Sequence, residues 1–371
     1  MAVGQIKVGI IGASPERGWA QRAHVPALRA LPRFTITAVG TTRAESAARA
    51  AEQYGAAHAF TDPRRLAEHP DVDLVSITVK VPGHAELVRA ALDAGKHVYC
   101  EWPLALTTTE AEELARAAEA AGVHNVVGLQ ARQSPAFARA RELIAEGHLG
   151  RVTSVNAYVS RSKGAAERIP GWSAYTYDVA NGAGLLEVSG GHTLDLLEQL
   201  TGGIGELSAT LSVQHPHHVV AETGEPIEAT SPDHLVLNAT TTSSAVMSAV
   251  VHDGATAQPE TRIEVRGTRG DLALTSPGDE SLEDTQLQVS ELRLRERREP
   301  GQWRDLDVPN GLPTSLTAAA PRNVARLYAE IAEGIDSGTQ TAPDFAAGVR
   351  LHRLLDAIRL SADSGMRQQV E

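Results

Sequence analysis

Apolar positions follow two rhythms along this chain. Up to about residue 130, short β-branched runs alternate with longer stretches whose apolar residues recur every three or four positions. IKVGIIG (6–12), FTITAVGTT (34–42), DLVSITV (73–79), HVYCE (97–101) and HNVVGLQ (124–130) read as buried parallel strands, being short and nearly continuous in apolar residues. Between them the spacing of Ala20, Ala23, Ala27, Leu28 and Leu31 predicts a helix. ESAARAAEQYG (45–55), HAELVRAALDAG (84–95) and TTTEAEELARAAEAAG (107–122) predict three more, each closed by glycine. Strand–helix alternation of this kind specifies an α/β domain with a doubly wound parallel sheet.

Beyond residue 150 the period changes to two. RVTSVNAYVSR (151–161), LSATLSVQ (207–214), HLVLNATTTSSAVMSAVVHDG (234–254), TRIEVRGTRGDLALTSP (261–277) and TQLQVSELRLRERR (285–298) alternate inward and outward residues, with turns such as Arg269-Gly270-Asp271. They predict an α+β second domain with a large, mainly antiparallel sheet. The expected division is 1–133 and 134–371, with closing helices over 322–365 packing back toward the first domain.

Composition narrows the partners. The 371 residues include 34 basic and 46 acidic ones, a net charge of −12, with no long basic run to meet a phosphate backbone. No nucleic-acid partner is expected. No apolar run reaches the roughly 18 residues of a membrane span, so no membrane partner is expected either. The single cysteine, Cys100, forms no internal disulfide, and a cytoplasmic location is the simplest expectation. The opening MAVGQIKVGIIGAS lacks the pattern of a targeting leader and reads as a first strand. HPHH (215–218) lies at a strand-to-loop junction where adjacent imidazoles rarely converge, and no metal is expected.

Open parallel sheets bind ligands beyond the carboxyl ends of their strands. After the first strand stand Gly12, Ser14, Gly18 and Trp19, a departure from the GxGxxG dinucleotide fingerprint of a Rossmann domain in which Ser14 replaces the second glycine. Backbone amides there can hold a pyrophosphate, or the segment is a plain strand-to-helix turn. Thr41, Thr42 and Arg43 follow the second strand, where an NAD-specific site usually carries a carboxylate. Hydroxyls and an arginine accept a 2′-phosphate, which favours NADP over NAD; alternatively, Arg43 is a solvated charge. Gln130 and Arg132 follow the last strand and are candidates to face the cleft, Arg132 toward an anionic group.

HAELVRAALDAGKHVYCEWPLA (84–105), RELIAEGHLGRVTSV (141–155), GAGLLEVSGGHTLDLLEQL (182–200) and the closing segment 322–365 together resemble the Gfo/Idh/MocA oxidoreductase family. GASPERGWAQRAH (12–24), Glu101-Trp102-Pro103 and LQARQSPAFARARELI (129–144) resemble, within it, the branch containing the fungal galactose-regulon repressor. The resemblance implies NAD or NADP as cofactor and hydride transfer from a sugar or polyol hydroxyl, assisted by a positioned base. It makes His192 the catalytic histidine and Glu101 part of the nicotinamide pocket. Val79 and Lys80 stand where the family has a Thr-Pro-Asn-like segment, and His84 opens the next helix as a pocket residue or a cap.

Two departures matter. Trp102 replaces the family's lysine, giving an apolar face to a sugar or nicotinamide, or else packing a domain seam. Lys80 is the candidate to restore that charge at the site, unless it is an exposed loop lysine. Val188 stands four residues before His192, where the family has an aspartate, and Glu187 on a regular helix points about 100° away. Asp195 lies three residues beyond His192. Trp172, Tyr175 and Tyr177 form an aromatic, polar stretch suited to a carbohydrate, or a surface loop.

The expected activity is NAD(P)-dependent oxidoreduction of a sugar, sugar derivative or glycoside. The alternatives are a non-catalytic dinucleotide-sensing regulator and an oxidoreductive glycoside-cleaving enzyme. A homodimer or homotetramer through the second domain's sheet is the expected assembly.

Overall fold

The computed structural model describes residues 4–256, 258–276, 286–298, 301–309, 311 and 316–370. Two compact units emerge, residues 1–130 with 312–350 and residues 131–311 with 351–371. The first contains β1 (Ile6–Ile11), β2 (Phe34–Gly40), β3 (His58–Phe60), β4 (Leu74–Ile77), β5 (His97–Glu101) and β6 (Asn125–Gly128). All pair in parallel, in the order β3-β2-β1-β4-β5-β6. That is the dinucleotide-binding order, and its direction reverses between β1 and β4, the point at which open sheets of this kind bind ligands past the strand ends.

α1 (Val25–Arg29), α2 (Ala44–Tyr54), α3 (Pro63–Ala67), α4 (His84–Asp93) and α5 (Thr108–Ala121) connect these strands. The α5 boundaries have local causes: the Thr107 hydroxyl accepts the Glu110 N–H at 3.2 Å, and Gly122 ends the helix in the left-handed conformation. Val8, Ile10, Leu74 and Ile77 are fully buried, each such side chain contributing about 1.5–3 kcal/mol. β3 and α3 have no counterpart in the sequence reading. Three half-exposed residues carry too little periodicity to declare a strand. The local signal for α3 was Asp62-Pro63, whose carboxylate accepts the Arg64 N–H at 2.9 Å.

The second unit begins with α6 (Pro135–Ala145), β7 (Val152–Ser160), β8 (Arg168–Ile169) and α7 (Gly191–Thr201). β9 (Ile204–Ser212), β10 (His217–Val220), β11 (Pro226–Glu228), β12 (His234–Thr241) and β13 (Val246–His252) follow. β14 (Thr261–Gly267), β15 (Asp271–Thr275), β16 (Arg293–Arg297) and β17 (Arg304–Leu306) precede the last elements, α8 (Ala319–Ser337), α9 (Phe345–Ser364) and β18 (Gln368–Gln369). A nine-stranded sheet runs β17-β16-β15-β14-β7-β13-β12-β9-β18 and is antiparallel except between β13 and β7. Leu235 and Leu237 point inward and are fully buried, while Tyr158, Val236 and Val246 lie exposed on the other face. A small three-stranded sheet joins β11, β10 and β8.

Two long strand readings are corrected. Residues 234–254 form a hairpin rather than one run, turning at Ser244, whose φ is +66°. Of 285–298 only Arg293–Arg297 is a strand, because the described stretch from 286 to 290 makes a turn; residue 285, like residue 277 of the preceding run, lies outside the described residues. α8 belongs to the first unit, where Val324, Leu327 and Tyr328 share a core with Ile6, Val8, Ile10 and Phe34. The division between units falls inside α9, at 350/351. Among the described residues no helix is long and apolar enough to cross a membrane.

Candidate functional site

In the first unit, the residues singled out for a cofactor stand at or just beyond the carboxyl ends of β1, β2, β4, β5 and β6. The turn after β1 depends on Gly12. Its φ is +93°, and a Cβ there would lie 2.8 Å from Thr78 Oγ1 and 3.0 Å from Val79 Cγ1. The Gly12 and Ala13 amides both donate to Gly40 O, at 2.9 and 3.2 Å, and the Tyr54 hydroxyl donates to Ser14 O at 2.6 Å. These bonds fix the 12–14 backbone against β2 and α2. Gly18, with φ +123°, and Trp19 lead into a helical turn over 20–24. Trp19 Nε1 is buried without a hydrogen-bond partner among the described residues.

After β2, the Thr41 hydroxyl is engaged locally, 2.9 Å from Arg43 O and 2.7 Å from Ser46 Oγ. Thr42 and Arg43 are exposed. A second arginine, absent from the sequence reading, stands nearby: Arg49 of α2 pairs with Glu16 of the first loop at 3.0 Å. After β4, Val79 is half-buried and Lys80 exposed.

The most ordered polar feature is a buried chain ending on Glu101. Ser76 Oγ lies 2.7 Å from the Tyr328 hydroxyl, which lies 2.7 Å from His24 Nδ1. His24 Nε2 lies 2.8 Å from Glu101 Oε1. A single neutral tautomer satisfies every link: Ser76 donates to Tyr328, Tyr328 to His24 Nδ1, and His24 Nε2–H to the carboxylate. Ser76, His24 and Tyr328 are fully buried, so each link is made in low dielectric. Gln130 Nε2 approaches Glu101 Oε2 at 3.4 Å, while its Oε1 is buried with no partner among the described residues. Gly128 leaves room for that carboxylate, since a Cβ would meet Glu101 Oε2 at 2.8 Å. Burial, reinforced by the Glu101 carboxylate, pushes the Tyr99 hydroxyl well above its usual pKa. His24 and Tyr328 escaped the sequence reading, although His24 closes the segment GASPERGWAQRAH.

His84 is buried, with Nδ1 2.8 Å from Pro103 O and Nε2 3.0 Å from Val79 O. Burial lowers its pKa, and the neutral ring has one N–H to share between these carbonyls. It therefore ties the loops after β4 and β5 together, holding Val79 and the buried Trp102 in place, rather than turning a nitrogen to a ligand.

In the second unit the helix reading around His192 needs correction. Leu186–Gly190 is a π-helical turn, marked by the Gly190 N–H donating to Leu185 O at 2.8 Å. The extra residue shifts the register. Glu187, five positions before His192, takes the face that a residue four positions before occupies on a regular helix. The angle expected for Glu187 assumed regular geometry. Both residues are buried. Glu187 accepts from Arg359 Nη2 at 2.7 Å and from the Gly184 N–H at 3.0 Å.

Arg132 and Asp195, each read as a substrate ligand, bind one another through two of the guanidinium nitrogens, Nη2 to Oδ1 and Nε to Oδ2, the latter at 2.8 Å. Of the aromatic trio, Trp172 is 54 % exposed while Tyr177 is buried, its hydroxyl donating to Lys163 O at 3.1 Å and its ring 4.4 Å from that of His218. Burial pushes the Tyr175 hydroxyl above its usual pKa. Lys163, its ammonium 5.1 Å from the Tyr177 ring, is lowered to about 8 by burial and the neighbouring Arg161 charge. The HPHH histidines do not converge: His215 pairs with Asp233 at 2.9 Å, and His218 contacts Ala166 O and His215 O.

Residues 6–129 match the model of an oxidoreductase family with an NAD-binding Rossmann fold, Gfo/Idh/MocA, and residues 135–276 match the C-terminal domain of Gal80p. A dehydrogenase of Aspergillus oryzae, aclE, is 29% identical over 376 residues, 97% of either chain. The galactose/lactose metabolism regulatory protein of Kluyveromyces lactis is 30% identical over 289 residues, covering 72% of this chain but only 63% of its own length. Levoglucosan dehydrogenase of Pseudarthrobacter phenanthrenivorans is 30% identical over 227 residues, 59% of this chain and 57% of that one. A solved super-repressor mutant of Gal80p from Saccharomyces cerevisiae shares the fold, with a TM-score of 0.88, 24% identity and coverage of 99% and 98%.

Proposed function

Because the chain belongs to the Gfo/Idh/MocA oxidoreductase family, with a second domain of Gal80p type, we propose that it is an NAD(P)-dependent oxidoreductase acting on a hydroxyl of a sugar, sugar derivative or glycoside. The observation that carries this reading is chemical. At the carboxyl ends of a sheet ordered for dinucleotides, a buried donor, Trp19 Nε1, and a buried acceptor, Gln130 Oε1, have no hydrogen-bond partner among the described residues. Buried polar groups of this kind ordinarily find one.

The residues present fit a dinucleotide. The turn from Gly12 and Ser14 to Gly18 and Trp19 would carry the pyrophosphate: the Gly12 and Ser14 amides shape it by bonding to Gly40 O and Gly12 O, and the Gly18 and Trp19 amides are the candidate donors. Thr42 and the exposed Arg43 favour a 2′-phosphate, hence NADP over NAD. Val79, Glu101, Trp102 and Gln130 would frame the nicotinamide, which supplies the hydride acceptor when bound. On this reading His192 takes the hydroxyl proton, Glu187 orients its ring and Lys80 assists. Trp172, Tyr175 and Tyr177 contribute to carbohydrate binding, while the Arg132–Asp195 pair steadies α7. The exposed Tyr158, Val236 and Val246 support assembly as a homodimer or homotetramer through the nine-stranded sheet, which light scattering would count.

The test is incubation with NAD or NADP and a panel of sugars and glycosides, following reduced-nicotinamide absorbance and analysing products. Turnover supports the oxidoreductase, and release of an aglycone without net reduction points to oxidoreductive cleavage. Neutral Trp102, standing in the place of the family's lysine, favours a second reading: a dinucleotide-sensing regulator. Tight cofactor binding with no turnover on any sugar would reject catalysis in its favour.

A further inference from the structure

We propose that His58, His69 and Asp71, at the free edge of the parallel sheet, form a binding site for a divalent transition-metal ion of the zinc type. Among the described residues, these three bring one ligand atom each within 4.8 Å of one another. They come from separate places. His58 opens the edge strand β3, and His69 and Asp71 lie in the turn between α3 and β4. His58 Nε2 is 3.1 Å from Asp71 Oδ2. Two donors at bonds of about 2.0–2.2 Å to one tetrahedral or octahedral ion stand roughly 3 Å apart, so this pair already spans one edge of a coordination shell. The His58 and His69 ring centroids are 4.0 Å apart, and the Phe60 ring, 5.6 Å from that of His69, walls the cluster with apolar surface.

The turn is fixed before any ion arrives. Thr37 Oγ1 donates to Asp71 O at 2.5 Å, and the Lys96 ammonium donates to His69 O at 3.3 Å and Val72 O at 2.8 Å. The ligands therefore ride on a pinned backbone, and only side-chain rotation is needed to close the shell. The ligand side chains are themselves tethered. His69 Nδ1 accepts the Asp71 N–H at 3.1 Å, so its lone pair is engaged by the amide and must exchange that bond for the ion as the side chain rotates. The Lys7 ammonium donates to Asp71 Oδ1 at 2.7 Å and pins that side of the carboxylate. Oδ2 remains for the ion, with Oδ1 hydrogen-bonded behind it, as ligating carboxylates usually are. Two imidazoles and one carboxylate select zinc, cobalt, nickel or copper over magnesium or calcium, which require oxygen shells. An ion here would staple the edge strand to the turn beside it.

The test uses the full chain, stripped with chelator. Cobalt(II) titration should produce one equivalent of visible d–d absorption, and zinc chloride should bind with 1:1 stoichiometry in calorimetry and raise the melting temperature. His58→Gln and His69→Asn should each weaken zinc at least tenfold and abolish the zinc-dependent rise. His234→Ala, in the separate Asp233 cluster, should change neither. Equal binding by wild type and both histidine variants overturns the assignment, as does the absence of cobalt absorption at 100-fold excess over protein. Loss of binding in His234→Ala alone would move the site to Asp233 and likewise overturn it.

Discussion

Tyr328→Phe removes one oxygen from the buried chain and leaves the ring. That ring packs against Phe34, Tyr99 and His24 at centroid distances of 5.3, 5.2 and 5.7 Å, contacts that phenylalanine keeps. Two fully buried groups, the Ser76 hydroxyl and His24 Nδ1, lose their shared partner. A buried polar group left unpaired costs about 1–3 kcal/mol, so the pair sums to about 2–6 kcal/mol. For a folding unit of this size, 1 kcal/mol moves the midpoint by about 2–4 °C, and the transition of the first unit should fall by about 4 °C or more. Adding Ser76→Ala removes one stranded hydroxyl, so the double variant should be less destabilised than the sum of the singles, with coupling of about 1 kcal/mol. Differential scanning calorimetry and urea titration read both quantities. A shift under 1 °C, or strict additivity in the cycle, would refute the account of Glu101 as the end of a continuous hydrogen-bonded chain.

Other expectations follow from single features. Gly12→Ala should lower cofactor affinity at least tenfold in fluorescence titration, because the residue needs φ +93° and a Cβ would press on Thr78. Arg43→Asp should shift the ratio of NADPH to NADH dissociation constants at least tenfold toward NADH; an unchanged ratio removes Arg43 from the cofactor site. Burial lowers the Lys163 pKa from its ordinary 10.5 to about 8 in the folded chain, so the unfolded chain binds more protons between those values. Stability should therefore rise as pH increases from about 8 to 10.5, and Lys163→Met should flatten that rise in urea midpoints. His352 is lowered from 6.5 to about 4 by burial and the Arg359 charge. Stability should fall as pH drops from 6.5 toward 4, and His352→Gln should weaken that dependence.

Legibility from sequence followed the range of the interaction. β1, β2, β4, β5 and β6 announced themselves because a strand covered on both faces is apolar throughout. β3 did not, being short and half-exposed at an edge. The strand termini, where open parallel sheets bind ligands, were legible because topology sets them. The chain through His24 and Tyr328 was not, since residues 304 positions apart share no pattern that a periodicity argument reads. Glu187 was misjudged by one residue's rotation, because a π turn is invisible to a 3.6-residue template. Arg132 and Asp195 each looked available to a ligand until folding brought opposite charges together.

The first unit takes its last portion from residues 312–350, after the whole stretch 131–311 has been made. During synthesis at about 5–20 residues per second, the ribosome needs roughly 10–45 s to pass from the end of β6 to the end of that portion. Throughout that interval His24 and Ser76 wait for Tyr328, and the nascent parallel sheet keeps an apolar face uncovered. The portion of the chain translated first is thus among the last to be sealed. A gene fragment ending before α8 should yield a product captured by chaperones or degraded, not a free-standing nucleotide-binding module.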